Sequence, residues 1–248
     1  MNNPTQPVMI LGCGRSGTSI FGELFKYIGN YVYHSEPPFD LVINADYSRP
    51  QAFKVPRESD LHSPDPGLSF PLRTLQQRVP NMKYFWLVRH PLDAICSLRV
   101  GVSINWGHHP RPLDWKEWLS RPIVEQCAHH WTYINSVGFN KVSELATVVY
   151  FEAMINNPKK FAISICKSLD IDPIHQSSGI DAWSKRVQNT NNAEFSEAET
   201  SKGYSRNDHS VRVGRWRENM TEAEVTKVLP LIKDASILFG YDLPKIKK

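Results

Sequence analysis

The chain has 248 residues, 41% of them hydrophobic and 22% charged, enough apolar material for one large buried core and too balanced for a disordered chain. Lys and Arg number 29 against 25 Asp and Glu, a net charge of +4. That excess is too small to argue for nucleic-acid binding, although clustered arginines can still hold a small anion. The four cysteines, Cys13, Cys96, Cys127 and Cys166, form no C-x-x-C pair, which disfavours a zinc ribbon and a redox dithiol alike. No apolar run approaches the length of a membrane span, and no cationic stretch precedes the short run Val8–Leu11. A cytoplasmic, non-transmembrane protein with reduced, mostly buried thiols is expected.

In chain order, Val8–Leu11 reads as a first strand ending in glycines, followed by a helical pattern from Thr18 to about Ile28. Asn30–Tyr33 reads as a second strand, Ala52–Val55 as a third, and Tyr84–Val88 as a fully apolar central strand. A helix opens at Pro91 with Leu92, Ile95 and Leu98 on one face, and an amphipathic helix covers Val124–Val137. A strand over Ala146–Phe151 leads to a helix opened by Pro158, with Phe161, Ile165 and Leu169 at helical spacing. The last helix starts with a Thr221–Glu224 capping box and stops at Gly240. Prolines break the pattern at 56–71 (Pro56, Pro64, Pro66 and Pro71) and at 105–122, where Pro110, Pro112 and Pro122 stand among tryptophans and histidines. Both read as ordered loops or short helices within one domain spanning 1–248. Apolar strands separated by helices imply an α/β fold, a central parallel sheet flanked by helices in three layers.

The turn after the first strand is G-C-G-R-S-G-T, Gly12 to Thr18. A strand, a glycine-rich turn and a helix start together make an anion site. Gly12 and Gly17 have the spacing of a nucleotide P-loop, but Thr18 stands where an NTPase carries the lysine that serves its β- and γ-phosphates. A second strand-end points the same way. The strand Tyr84–Val88 runs into Arg89-His90-Pro91, not into the aspartate that helps hold Mg²⁺ in NTPases. An arginine at the tip of a buried strand suits another phosphate, and Ser97, two helical turns beyond Pro91, is placed to join it.

These motifs resemble the sulfotransferases that use 3′-phosphoadenosine 5′-phosphosulfate. G-C-G-R-S-G-T-S (Gly12 to Ser19) is similar to their 5′-phosphosulfate loop, in the arginine form of carbohydrate and tyrosylprotein members. L-V-R-H-P-L-D-A-I-C-S-L (Leu87 to Leu98) resembles the 3′-phosphate motif, and V-G-R-W-R-E-N-M-T (Val213 to Thr221) the C-terminal loop that closes over that phosphate. The resemblance implies donor contacts from Gly14, Arg15, Ser16, Gly17, Thr18, Ser19, Arg89, Ser97, Gly214, Arg215 and Trp216, with no metal. It also implies an adenine contact from Phe151, which stands where the family often has a tyrosine.

Sulfuryl transfer needs a base for the acceptor hydroxyl and cations on the leaving phosphate. Arg15 and Lys54, the latter resembling the family's strand-end lysine, are the expected cations. Glu36, in Y-H-S-E-P-P, is the leading base because carbohydrate members have a similar Glu-Pro. His34, two residues earlier on the same face if the strand continues, is its rival, with His108 and His109 behind it. His129-His130 has no i+4 partner for a metal. Trp106, Trp115, Trp118 and Trp131 with Arg111 read either as an acceptor pocket or as a packed lid. The acceptor stays open among carbohydrate, lipid, peptide tyrosine and small-molecule hydroxyls. A P-loop kinase or NTPase, and a non-catalytic nucleotide-binding module, are the competing functions.

Overall fold

The computed structural model describes residues 6–57, 65–103, 105–189 and 213–245; Pro64 of the first proline-rich segment lies outside them. Five strands, β1 (Val8–Gly12), β2 (Val32–Ser35), β3 (Gln51–Lys54), β4 (Lys83–Val88) and β5 (Ala146–Tyr150), form one parallel sheet in the order β2-β3-β1-β4-β5. The α/β architecture expected from the alternation is the one observed. β1, not β4, is the central strand: Val8 to Gly12 pair with Lys83 to Leu87 on one side, and Val8 to Ile10 with Ala52 to Lys54 on the other.

The strand period of two sorts side chains into two cores. Met9, Leu11, Tyr84, Trp86 and Val88 point to one face, and Val8, Ile10, Phe85 and Leu87 to the other. The second face is covered by α1 (Thr18–Glu23) and by α7 (Phe151–Asn156), α8 (Pro158–Ser168) and α9 (Ser177–Asn189). The first is covered by α2 (Phe39–Ile43), α3 (Leu72–Arg78), α4 (Pro91–Ser103), α5 (Ile123–Tyr133), α6 (Phe139–Val142) and α11 (Glu222–Leu238); the short α10 (Trp216–Asn219) packs on α4. Burial of each such Leu, Ile or Phe stabilises the fold by about 1.5–3 kcal/mol. Leu92, Ile95 and Leu98 of α4 are fully buried, as their spacing requires.

Several boundaries move for local reasons. β2 begins two residues late because Gly29 and Asn30 are both left-handed and form a turn. Helix α1 tightens into a 3₁₀ turn, Leu24–Lys26. The helix expected through Val137 leaves α-geometry after Tyr133 for a π turn, Ile134–Gly138. The fifth strand stops at Tyr150, so Phe151 opens α7. The capping box at Thr221 and Glu224 is formed in both directions. No helix among the described residues is long and apolar enough to cross a membrane, and all four cysteines are buried and unpaired.

Candidate functional site

The chain switches direction around β1: β2 and β3 lie to one side, β4 and β5 to the other. Ligands of open α/β sheets bind at such a point, beyond the C-terminal strand ends. A cleft of about 500 Å³ lies there, lined by residues following all five strands, from Phe151 and Arg89 through the Gly12–Ser19 turn to Lys54 and Glu36.

The turn's geometry explains its composition. Gly12 has φ +145°, and a Cβ there would collide with the Leu87 carbonyl oxygen of β4. Gly17, the N-cap of α1, has φ +95°, and a Cβ there would strike the Phe151 ring. No side chain caps α1, leaving its first-turn N–H groups to a ligand. The cradle therefore fits an anion. Ser16, also expected to contact the donor, is fully buried and does not line the cleft, and its hydroxyl has no hydrogen-bond partner among the described residues.

Arg89 follows β4 and is 4% exposed. It donates to the Arg15 carbonyl at 3.1 Å, and its guanidinium lies 4.3 Å from the Phe151 ring centre. Burial, with the like charge of Arg215, draws its pKa down to about 10 against the opposing pull of the Asp93 and Glu152 carboxylates, still fully charged at neutral pH. Arg15, itself left-handed, donates from Nε to Ser97 Oγ at 3.2 Å. The guanidinium expected on the leaving phosphate thus reaches the serine expected at the 3′-phosphate. Arg215 lines the same end of the cleft. Gly214 and Trp216 do not: the Trp216 ring stacks on His90, 6.3 Å away and nearly parallel, so these two residues position Arg215 through the backbone.

What fixes that backbone is Asp93, which the sequence reading passed over. Its fully buried carboxylate accepts from Gly214 N at 2.7 Å and Trp216 N at 3.0 Å. Glu152 plays a similar part between strand ends, accepting from His90 N and the Tyr241 hydroxyl. Hydrogen bonds to a charged group contribute about 1.5–3 kcal/mol each. Asp93→Asn, which keeps one acceptor, is expected to loosen the Arg215 loop and weaken anion binding in the cleft about tenfold, with the melting temperature reporting that the fold survives.

Across β1, Lys54 at the end of β3 is 3% exposed. Its ammonium donates to Ser19 Oγ at 3.2 Å and to Glu36 Oε1 at 2.6 Å. Glu36 Oε2 meets Arg57 at 2.7 Å. Burial pushes the Glu36 carboxyl up, but the Lys54 hydrogen bond and the charges of Lys54 and Arg57 outweigh it and hold the pKa below the usual range. His34 is elsewhere. β2 ends at Ser35 and Glu36 turns left-handed, with φ +52°, so the alternation that would have aligned the two is broken. His34 stacks on Phe53, bonds Gln51 and lines a separate pocket at the sheet edge.

His108 and His109 both line the cleft. His108 packs between Gly14 and Gly101. Burial, then the charges of Arg15, His109 and Arg57, push its pKa down to about 4 against a weaker pull from Glu36, so it is neutral. His130 is driven well below its usual range, chiefly by burial. Both folded values lie below the unfolded one. Stability is therefore complete above about pH 6.5 and is lost as pH falls toward 4. Melting followed by circular dichroism should show the midpoint falling across that window, and His130→Asn, which keeps an acceptor for Trp106 Nε1, should flatten the fall. None of the tryptophans lines the cleft; Trp106 and Trp131 are fully buried in the core, and Trp118 stacks on His129. The packed lid is what forms.

The family model described as "Sulfotransferase domain" matches residues 5–236. The chain belongs to the sulfotransferase family. Sulfuryl transfer is accordingly the general activity of this enzyme. The sulfotransferase matches none of the curated proteins significantly. Among solved structures it resembles mouse sulfotransferase SULT7A1 complexed with PAP, at 14% identity and TM-score 0.56, covering 95% of this chain and 84% of that one. A sulfotransferase domain from the Synechococcus PCC 7002 olefin synthase aligns at 14% identity and TM-score 0.54, covering 98% of each. One from the curacin biosynthetic pathway aligns at 13% and 0.52, covering 98% of this sulfotransferase and 100% of that domain. At these identities the likeness is one of fold.

Proposed function

We propose that the protein transfers a sulfuryl group from 3′-phosphoadenosine 5′-phosphosulfate to a hydroxyl of its acceptor, within a single domain and without a metal. The observation that carries this reading is the meeting of Arg15, Arg89 and Ser97 across the turn–helix cradle, on a strand tip that has arginine in place of a metal-binding carboxylate. PAP, the adenosine 3′,5′-bisphosphate that such a donor leaves behind, is bound by the mouse enzyme of the same fold. A cytoplasmic location belongs to the same reading and is supported by the four buried, unpaired thiols.

The donor's 5′-anhydride fits the cradle from Gly14 to Ser19, and its 3′-phosphate fits Arg89, Ser97 and Arg215. Phe151 offers an apolar ring for the base. Lys54, deep in the cleft between Ser19 and Glu36, is placed to meet charge on the leaving phosphate. As its ammonium turns to that oxygen, the Glu36 carboxylate loses one of its two cations and gains basicity. Glu36 then takes the acceptor proton while the acceptor oxygen bonds to sulfur and the sulfur–anhydride oxygen bond breaks. Incubation of the purified protein with the donor and a panel of hydroxyl compounds, read by mass spectrometry, tests this. A sulfated product with an equal amount of released adenosine 3′,5′-bisphosphate is expected; ATP-dependent, magnesium-requiring phosphorylation of any panel member in its place would overturn it.

A further inference from the structure

The two flanks of β1 divide the cleft by task. Toward β4 stand Arg15, Arg89, Ser97 and Arg215; toward β3 and β2 stand Lys54, Glu36 and, outermost, Arg57. Arg57 was not singled out by the sequence. Its backbone is held on both sides, Arg57 N donating to Pro37 O and Phe39 N to Arg57 O, each at 2.9 Å. The chain that carries Glu36 therefore also fixes Arg57, and the guanidinium stands beside the carboxylate at 2.7 Å.

The side-chain exposures separate the two cations. Lys54 is 4% exposed and Arg57 43%, so Lys54 lies inside the cleft and Arg57 on its solvent side. A guanidinium presents five N–H donors in a planar fork suited to carboxylate and phosphate. One Glu36 oxygen engages NH2, a single contact of a group that carries five N–H donors. The other walls of that end are Val55, Gly107, His108 and His109, a single aliphatic side chain among polar ones, and Glu36 is the only carboxylate lining the cleft among the described residues.

We propose that the acceptor is a small polar alcohol or sugar carrying an anionic group near the reacting hydroxyl, and that Arg57 is the residue that selects it. This rests on the reading of Glu36 as base: a hydroxyl presented to Glu36 brings its neighbouring substituents to Arg57. Among the described residues of that end, Val55 is the one aliphatic side chain a lipid alcohol would meet. If Arg57 only pins Glu36, its loss changes turnover of neutral and anionic acceptors alike; if it selects, the ratio between them changes.

The test uses the full chain saturated with adenosine 3′,5′-bisphosphate and two matched pairs of probes, glucuronate against glucose and glycerate against glycerol, with affinities taken from saturation-transfer NMR titrations. In at least one pair the anion is expected to bind about tenfold or more tightly than its neutral partner. Arg57→Gln should abolish that preference without changing bisphosphate affinity, and Arg57→Lys, a point charge without the fork, should keep part of it. Equal affinity within both pairs, or an anion preference that survives Arg57→Gln, overturns the proposal. Failure of the donor reading is seen separately, as absence of bisphosphate binding in the first titration.

Discussion

Arg89→Ala is expected to raise the dissociation constant for adenosine 3′,5′-bisphosphate by about 30- to 700-fold, the loss of about 2–4 kcal/mol that follows removal of one partner of a buried charge-assisted contact. The side chain is 4% exposed, so water cannot replace it as a donor to the phosphate. Its loss also removes the hydrogen bond to the Arg15 carbonyl that joins the β4 tip to the glycine turn. Arg89→Lys should recover part of the affinity as a charge without bidentate geometry. Ser97→Ala removes a single neutral hydroxyl and should cost about 1 kcal/mol. Isothermal titration of the three variants orders them, with melting curves confirming that each is folded. Arginine and serine variants that bind like the parent would show that the 3′-phosphate lies elsewhere.

Glu36→Gln is expected to lower turnover by about 10²–10⁴, the usual contribution of a positioned general base, while leaving bisphosphate affinity nearly unchanged. Glutamine preserves the size of the side chain and an oxygen for Lys54 or Arg57, but takes up no proton. The separation of turnover from donor affinity is the diagnostic feature, because a purely structural role in the Lys54–Glu36–Arg57 chain would disturb both. His34→Ala should leave donor binding intact, since His34 lines the pocket at the sheet edge. A Glu36→Gln enzyme that works at the parental rate would transfer the role to His108, which is neutral and stands beside Gly14.

Those two variants probe residues of unequal legibility. Arg89 could be read from the chain because a continuously apolar strand must end somewhere, and an arginine at its tip followed by Pro91 marks both the end and the helix start. The glycine turn was legible for the same kind of reason: Gly12 and Gly17 stand where no side chain fits. Helix α9 was missed although Ile180, Trp183 and Val187 are fully buried at i, i+3 and i+7, a period diluted by a mostly polar sequence. Helix α2 was hidden by Pro37 and Pro38, which read as breakers and instead precede its first turn. Placing His34 and Glu36 on one face assumed an unbroken strand, and only the left-handed Glu36 backbone shows otherwise. Asp93 reads locally as an ordinary acidic residue in a first helical turn; its partners are 121 and 123 residues away. Arg57 likewise owes its place to a bridge with Pro38 that no local pattern announces.

Calorimetric titration of the purified protein with adenosine 3′,5′-bisphosphate, and in parallel with ATP, each with and without Mg²⁺, tests the donor assignment most directly. One glycine cradle with no Walker lysine, joined through Arg15 to a second basic pole at Arg89, Ser97 and Arg215, predicts bisphosphate binding that is tighter than ATP binding and unaffected by the metal. ATP binding more tightly than the bisphosphate, or bisphosphate binding only when Mg²⁺ is present, would contradict it.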